Sequence, residues 1–384
     1  MNYNHPIKNN STITIRVMCA IVFVGFSFAW LYFFQADLLS MVQHVHSGGR
    51  TAYRPLLGAI LLTIFLLLLQ LFVYRMVKLK SRYHALTYGP SMLLLGLLTG
   101  FFPTGNGRIE PDWHWYFPVI VLIVWLLFVF LAKLLQEVED DRDFSLLSRP
   151  MWINMLLLAM QMMFVAWIGN TNAVMHYRMK TELLLSKGEY RKALEVGRRS
   201  LESDSCLIML RMYALAHENA LGDRLFEYPI TGTSAQILPT NGPSSLSLCS
   251  ADSFYRFLGA RPATPMAPMH YLQLLENHDS IVAPQVANYV LSGLLIDRQL
   301  ERFAREIGKY YVIDDHLPKH YREALLLYAR STSHPVVVYR HAVTEEDWRN
   351  FQELKNQYSD PTERKVKVSE QYRDTYWYYY EYER

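Results

Sequence analysis

Charged side chains are scarce in the first 172 residues, which hold 12 Lys and Arg and 8 Asp and Glu. The rest of the chain holds 26 and 27 of these residues. So low a charge density excludes an ordinary soluble domain for the first part and is what lipid demands. The second part is charged but nearly neutral, so it lacks the basic field that a nucleic-acid partner requires.

Cysteine is also rare, with only Cys19, Cys206 and Cys249 in the chain. No CxxC motif occurs, which excludes a zinc ribbon or a thioredoxin-like site at the level of motifs. Cys19 lies within an apolar run, where cysteine packs as a small hydrophobic side chain. A disulfide between Cys206 and Cys249 requires that the second part faces an oxidising compartment, and the sequence leaves this pairing open.

Sequence motifs of catalysis are missing as well. The chain contains no GxSxG, HExxH, SxxK or HRD motif, and no Walker or dinucleotide-binding fingerprint. These motifs carry nucleophiles, metal ligands or phosphate-binding loops. Their absence lowers the expectation of an enzyme without excluding one, and no cofactor is implied.

Long apolar runs are what the first part does contain. A helix needs about 20 mainly apolar residues to cross the hydrocarbon core of a membrane. Five charge-free runs approach this length, and Trp and Tyr lie at several of their ends, as in the aromatic belt of membrane proteins. The sequence therefore predicts five transmembrane helices, at about residues 15–35, 55–75, 84–103, 114–134 and 150–169.

The distribution of Lys and Arg predicts the orientation. The N-terminal tail and the loops after the second and fourth predicted helices carry nine Lys and Arg, against five on the opposite side. The richer side of a membrane protein faces the cytoplasm. We therefore expect a cytoplasmic N-terminus and residues 173–384 on the outer side of the cytoplasmic membrane. The two ends of the chain lie on opposite sides of the membrane only if the number of crossings is odd.

Residues 173–384 read as an all-α soluble domain of helical hairpins. Gly188 and Gly222 are 34 residues apart, which is the tetratricopeptide period. An irregular insert rich in Ser, Thr, Pro and Gly is predicted at about residues 229–268. The C-terminal aromatic segment around Trp377 is predicted to pack on the last helix pair, since large aromatics are normally buried. A partner's groove and the membrane interface are the alternatives.

Four stretches resemble an uncharacterised family of bacterial multi-pass membrane proteins with a tetratricopeptide-like C-terminal region. They are QHVHSGGRTAY at 43–53, YHALTYGPSMLLLGLLT at 83–99, LRMYALAHENALGDRLFEYP at 210–229 and DTYWYYYEY at 374–382. The resemblance implies a bundle of helices in a bacterial cytoplasmic membrane followed by helical hairpins, which the predicted orientation places in the periplasm. It implies no activity, substrate or catalytic residue.

The predicted outer loops carry the candidates for chemistry. Asp37 and His44 are candidates for catalysis on a lipid-linked or envelope substrate. His44 and His46, with Asp112 or His114, are candidate metal ligands. The competing interpretation is that these side chains meet lipid headgroups and water.

The helix pairs carry the candidates for partner binding, because stacked pairs form concave surfaces that hold peptides. The candidate contacts are Tyr190, Arg191, Arg198, Arg211 and Tyr213, although Tyr190 and Tyr213 can equally pack between helices. The leading hypothesis is a non-enzymatic membrane-anchored interaction protein, with the lipid bilayer and a protein as partners. The alternative is a membrane enzyme that acts through its outer loops.

Overall fold

A computed structural model describes residues 7–104, 108–138, 148–239, 246–278 and 283–383. The chain divides into two compact units, and the division falls between Asn172 and Ala173. We call the residues before this division the N-terminal unit and those after it the C-terminal unit. Each is described by itself.

The N-terminal unit is a bundle of helices with one short hairpin. Its elements are α1 (Ile7–Ala29), a π-helical turn (Trp30–Phe34), α2 (Ala36–Ser47), α3 (Pro55–Val77), a 3₁₀ segment (Ser81–Tyr88), α4 (Gly89–Thr99), β1 (Phe101–Thr104), β2 (Arg108–Pro111), α5 (Phe117–Val138) and α6 (Arg149–Ile168). The two strands pair antiparallel. Four helical stretches are long and apolar enough to cross a membrane, namely Ile13–Phe34, Pro55–Val77, Phe117–Leu135 and Arg149–Ile168.

The third predicted transmembrane helix is wrong as one continuous helix. Residues 84–103 are divided among the 3₁₀ segment, α4 and β1. Helix α4 has 11 residues, which span about 16 Å at 1.5 Å per residue and cannot cross a hydrocarbon core of about 30 Å alone. The residues that the structure describes therefore contain four candidate spans and not five.

Polar side chains of α6 hold the irregular backbone in place of the predicted helix. Asn154 Nδ2 donates to the carbonyl oxygens of Ser81 and Arg82 at 2.8 and 3.0 Å, and its Oδ1 accepts from the Ala85 amide at 2.7 Å. Gln161 Nε2 donates to the Ala85 carbonyl at 3.0 Å. Backbone groups without helical partners need such bonds wherever water is excluded. Asn154 and Gln161 interrupt an apolar run because they serve as these partners.

The 3₁₀ segment and α4 together follow α6 from its first turns to its end. Asn154 contacts the beginning of the segment, whereas Asn170, just beyond α6, donates its backbone N–H to the Thr99 carbonyl at 2.8 Å. A Cβ on Gly96 of α4 would meet the Ile168 side chain at 3.4 Å. Residues 81–99 thus lie alongside almost the whole length of a candidate span.

The C-terminal unit is built from short helices. Its elements are α7 (Ala173–Ser186), α8 (Tyr190–Glu195), α9 (Ser205–His217), α10 (Leu221–Arg224), α11 (Ala251–Leu258), α12 (Pro268–His278), α13 (Pro284–Ile296), α14 (Leu300–Glu306), α15 (Lys319–Ser331), α16 (Ala342–Gln357), α17 (Pro361–Tyr372) and α18 (Tyr376–Tyr382), with 3₁₀ turns at Leu225–Glu227, Ser234–Gln236 and Ile307–Lys309. The fold is all-α, as predicted, apart from the small hairpin of the N-terminal unit.

Three helical hairpins, α7–α8, α9–α10 and α13–α14, share one turn. Each long helix is followed by three residues, and the middle one has a left-handed backbone: Gly188 at φ 73°, Asn219 at φ 53° and Arg298 at φ 56°. In each turn the next residue donates its N–H to the carbonyl five positions earlier, at 2.9–3.0 Å. This is the Schellman arrangement that ends a helix and reverses the chain.

The shared turn contradicts the predicted period. Gly188 corresponds to Asn219, which follows 31 residues later, whereas Gly222 lies inside α10. The second helices are also short, with six residues in α8 and four in α10. The spacing of 34 residues therefore joins positions that are not equivalent, and a tetratricopeptide repeat is not established.

A buried carboxylate anchors the predicted insert. Within this insert the described residues form a 3₁₀ turn and α11, and residues 240–245 lie outside the described residues. Glu182 of α7 accepts N–H bonds from Leu248 and from Cys249, the latter at 2.8 Å. Burial raises the pKa of Glu182 above its ordinary value, opposed by these amides. The insert is thus a docked segment of the unit.

The prediction that the aromatic tail packs on the last helix pair is confirmed. Trp377 is 1% exposed, and its ring lies 5.1 Å from Trp348 and 5.9 Å from Phe351 of α16, centroid to centroid. Its indole N–H donates to the Glu323 carbonyl of α15 at 2.9 Å. Tyr376 and its neighbours in α18 are buried with it. Helix α18 therefore completes the core of the C-terminal unit.

Candidate functional site

The first predicted outer loop is largely helical. Asp37 lies in the first turn of α2, and His44 and His46 lie in its last turn. His46 Nδ1 is 2.9 Å from the Val42 carbonyl oxygen of the same helix. The His44 ring is half-buried against the turn at Gly49. A helix therefore occupies most of what the sequence predicts as a loop.

Asp112 and His114 lie in the connection from β2 to α5, and both are exposed. Among the described residues, no three His, Cys, Asp or Glu side chains come together as ligands for a metal ion. The structure therefore does not bring His44, His46, Asp112 and His114 together as a metal centre within the described ranges. The hypothesis of catalysis by Asp37 and His44 stays a prediction.

Asp112 and His114 do line a small cavity, of about 240 Å³, at the beginning of α5 and the end of α6. Its walls are mostly aromatic, and the lining residues are Asp112, Trp113, His114, Tyr116, Phe117, Trp167 and Ile168. Phe117 and Trp167 meet edge to face, with ring centroids 6.5 Å apart. Trp113 Nε1 is buried without a hydrogen-bond partner in the described structure. We call this space the aromatic cavity.

Two of the predicted partner contacts lie in the core and not on a surface. Tyr213 is 8% exposed and packs on Phe254, with ring centroids 4.3 Å apart. Arg211 is fully buried. Helix α9 is enclosed by its neighbours, so both positions are corrected from partner contacts to core residues. Tyr190 is half-buried and stacks on His217 at 4.1 Å, whereas Arg191 is exposed and pairs with Glu218 at 2.7 Å.

Arg211 supports the segment that follows α8. Its guanidinium donates to the carbonyl oxygens of Val196 and Gly197 at 3.2 and 3.3 Å and lies 4.6 Å from the centre of the Tyr228 ring. Burial lowers the pKa of Arg211 to about 10, which still leaves the side chain charged at neutral pH. A buried cation thus lies directly beneath Gly197, which itself lines the groove described next.

An open groove of about 940 Å³ lies over this segment of the C-terminal unit. It is lined by Tyr177, Glu195, Gly197, Arg198, Arg199, Ser200, Glu227, Arg373 and Asp374. We call it the arginine groove. Of the predicted partner contacts, only Arg198 lines it.

The carboxylates of the arginine groove are each matched by a cation. Arg198 lies 3.3 Å from both Glu195 and Glu227. Arg224, which is outside the lining, also binds Glu227 at 3.1 Å. Asp374 likewise binds a lysine outside the lining, Lys319, at 2.9 Å.

Two arginines of the groove form no close ion pair among the described residues, although Arg373 interacts electrostatically with the half-buried Glu383. Arg373 donates to the Ser200 carbonyl at 3.3 Å. Arg199 is exposed, and among the described residues it has no hydrogen bond or ion pair. Since the acidic side chains here are already paired, the groove presents a surplus of positive charge.

Sequence reasoning missed the part of the groove that comes from the C-terminus. Arg373 follows Ser200 by 173 residues and reaches it only because α17 and α18 fold back on the unit. A signal for the other half was present in the adjacent Arg198 and Arg199, which follow a short helix and cannot both point into a core. No local pattern pairs them with Arg373.

Comparison with known proteins bears on the whole C-terminal unit and on part of the N-terminal unit. A family model described as a family of unknown function, DUF6057, matches residues 102–280 and 263–383. The chain belongs to the DUF6057 family. No curated protein matches the chain, and no solved structure matches it either. Membership of DUF6057 therefore agrees with an uncharacterised family and assigns no chemistry to the groove or to the aromatic cavity.

Proposed function

We propose that this protein is anchored in a membrane by its N-terminal unit and binds an acidic protein segment in the arginine groove of its C-terminal unit. The four candidate spans support the anchoring. The observation that carries the binding is the open groove in which Arg199 has no partner among the described residues and lies with Arg373, which donates to a backbone carbonyl. A carboxylate of a partner can bind the unpaired Arg199, and a second one can approach Arg373.

An extended protein segment fits this groove better than a small molecule does. The space of about 940 Å³ is open and lined mainly by charged side chains, whereas pockets for small molecules are mostly apolar and enclosed. Nucleic acid is disfavoured because three carboxylates share the lining with the arginines, and they would repel a phosphate backbone. An acidic peptide can place its carboxylates on Arg199 and Arg373 alone.

We further propose that residues 81–99 form a broken fifth crossing. Residues 81–99 comprise a 3₁₀ segment of 8 residues that is kinked at Tyr83 and a helix of 11. At about 2.0 and 1.5 Å per residue they reach at most about 32 Å. Their contacts begin at Asn154 near the start of α6 and end at Asn170 beyond it. Irregular backbone is tolerated at membrane depth when protein encloses it. Five crossings place the C-terminal unit opposite the N-terminus, in the periplasm if the positive-inside rule holds.

Labelling of single cysteines in sealed membrane vesicles tests the crossing. The background is the chain with its three native cysteines replaced by serine. With a broken crossing, Ser359→Cys reacts with an impermeant maleimide from the same side as Arg50→Cys and from the side opposite to Lys78→Cys. Reaction of Ser359→Cys from the same side as Lys78→Cys would mean four crossings and would overturn the proposal.

Photo-crosslinking in native membranes tests the groove. A photoreactive residue at Arg199 should capture a protein that one at Arg256 does not, because Arg256 is also exposed but lies on α11 outside the groove. The crosslinked segment should be acidic, and Arg373→Glu should abolish its capture. Equal capture at both positions, or a segment without acidic residues, would refute binding in the groove.

The same assay separates this proposal from the enzyme hypothesis. Asp37→Asn and His44→Ala leave the C-terminal unit unchanged, so a protein that acts by binding should retain both capture and its cellular function in these variants. An enzyme that uses the outer loops should lose function with either substitution while Arg199→Glu remains functional.

A further inference from the structure

The aromatic cavity lies at one end of two candidate spans. Phe117 is the first residue of the span Phe117–Leu135, and Ile168 is the last residue of the span Arg149–Ile168. Both residues line the cavity. If these helices cross a membrane, the cavity opens at the depth where hydrocarbon gives way to headgroups.

The walls of the cavity combine aromatic rings with one carboxylate. Trp113, Tyr116, Phe117 and Trp167 supply the rings. The Asp112 side chain is exposed at the cavity and has no partner among the described residues. Aromatic faces attract organic cations through the ring quadrupole, and they form the cages that recognise quaternary and other ammonium groups. A carboxylate beside them adds a full negative charge.

We propose that the aromatic cavity binds the ammonium-bearing headgroup of a phospholipid. Its size of about 240 Å³ is below the range of about 300–1,000 Å³ that drug-sized ligands occupy. A metal ion does not fit, because Asp112 and His114 alone supply donors and no third ligand joins them in the described ranges. The inference rests on the proposed anchoring, since only a membrane brings such headgroups to this depth.

Native mass spectrometry of the full-length protein tests this inference. The protein is purified in detergent with an equimolar mixture of phosphatidylethanolamine, phosphatidylcholine and phosphatidylglycerol, and the retained lipids are counted. We expect the two ammonium lipids to be retained about fivefold or more over phosphatidylglycerol, which corresponds to a cation–π contact of about 1 kcal/mol. Phosphoethanolamine without acyl chains should not displace them, which distinguishes a lipid from a dissolved headgroup.

Variants assign the retention to the cavity. Asp112→Asn and Trp167→Leu should each abolish the preference, and both side chains are exposed, so the fold should survive the changes. Trp152→Leu is the matched control, because Trp152 lies at the other end of α6 and is 63% exposed. An equal loss in Trp152→Leu, or no preference in the parent protein, would overturn the inference.

Flotation with vesicles separates this test from that of the anchoring. A protein that floats with vesicles and shows no headgroup preference refutes the cavity alone. A protein that fails to float refutes the anchoring, and the cavity with it.

Discussion

The two units use the same kinds of side chain in opposite ways. In the N-terminal unit, α5 exposes Ile123, Leu127 and Phe130, each more than half accessible. In the C-terminal unit, every residue of α13 from Val286 to Ile296 is buried. Apolar exposure on such a scale is uncommon in a protein surrounded by water. The comparison shows that the surroundings of a helix, water or lipid, decide whether its apolar side chains must face the interior.

The interior of each unit differs accordingly. The N-terminal unit encloses polar pairs, such as Gln70 with Thr87 at 3.0 Å and Trp30 with Thr99 at 3.2 Å. Lipid is as apolar as the interior of a helix bundle, so an apolar side chain gains no hydrophobic free energy by moving inside. Packing and hydrogen bonds therefore hold membrane helices together. The C-terminal unit instead encloses large aromatics, among them Tyr289 and Trp377, whose removal from water is the main stabilising contribution.

The largest expected effect is the loss of a buried aromatic in the C-terminal unit. Trp377→Ala removes a side chain that is 1% exposed and packed between α15 and α16. We expect the free energy of unfolding of this unit to fall by about 3–5 kcal/mol. Hydrogen exchange of the full-length protein in urea, followed on peptides from α15 to α18, measures the change.

The control for this prediction is a tryptophan in the N-terminal unit. Trp115 is 82% exposed, so Trp115→Ala should leave the stability of both units within about 0.5 kcal/mol of the parent. A comparable loss in both variants would mean that aromatic burial does not distinguish the units.

A smaller effect is expected when a polar contact is removed from the N-terminal unit. Asn154→Leu leaves the Ser81 and Arg82 carbonyls and the Ala85 amide without these partners. We expect a loss of about 1–3 kcal/mol, although the residue becomes more apolar. Unfolding of the protein in mixed micelles with increasing dodecyl sulfate measures it.

Met160→Leu is the matched control for this change. Met160 lies on the same helix and is 61% exposed, so the substitution should have almost no effect. If Asn154→Leu proved as stable as this control, the polar side chain would not be what holds the 3₁₀ segment.

The smallest expected effect concerns Gly→Ala at two positions. The substitution should lower the stability at one position and leave it unchanged or raise it at the other. Gly188 has φ +73°, whereas Gly25 lies in α1 with ordinary helical backbone, and a Cβ at either position meets nothing within 4 Å. Gly188→Ala should cost about 1 kcal/mol, because the left-handed backbone disfavours L-residues. Gly25→Ala should be neutral or stabilising by up to about 1 kcal/mol.

Thermal unfolding in one detergent compares the two glycine variants directly. Loss of stability in both would show that the turn at Gly188 is not special. This would weaken the view that three hairpins share one left-handed turn.

The apolar runs predicted the membrane helices well where run length and lack of charge are enough to define a helix. Four of the five predicted membrane helices coincide with candidate spans, because run length and the absence of charge suffice for a helix that faces lipid. The run at 84–103 failed, since its backbone is broken by contacts with Asn154 and Gln161, about 70 residues further along the chain. The tetratricopeptide period predicted from the 34-residue spacing was not confirmed, because Asn219, and not Gly222, occupies the second left-handed turn.

Composition by itself determined that the first part of this chain is apolar and the second part charged and helical. It also favoured burial of the tail around Trp377, because the free energy of hydrophobic transfer grows with apolar area. Only the tertiary structure decided that Arg211 lies in the core, that Arg373 joins Arg199 in one groove and that Trp113 meets Trp167 at one cavity. These contacts join residues that are distant in sequence, and a local pattern carries no information on which distant side chains the folded chain brings together.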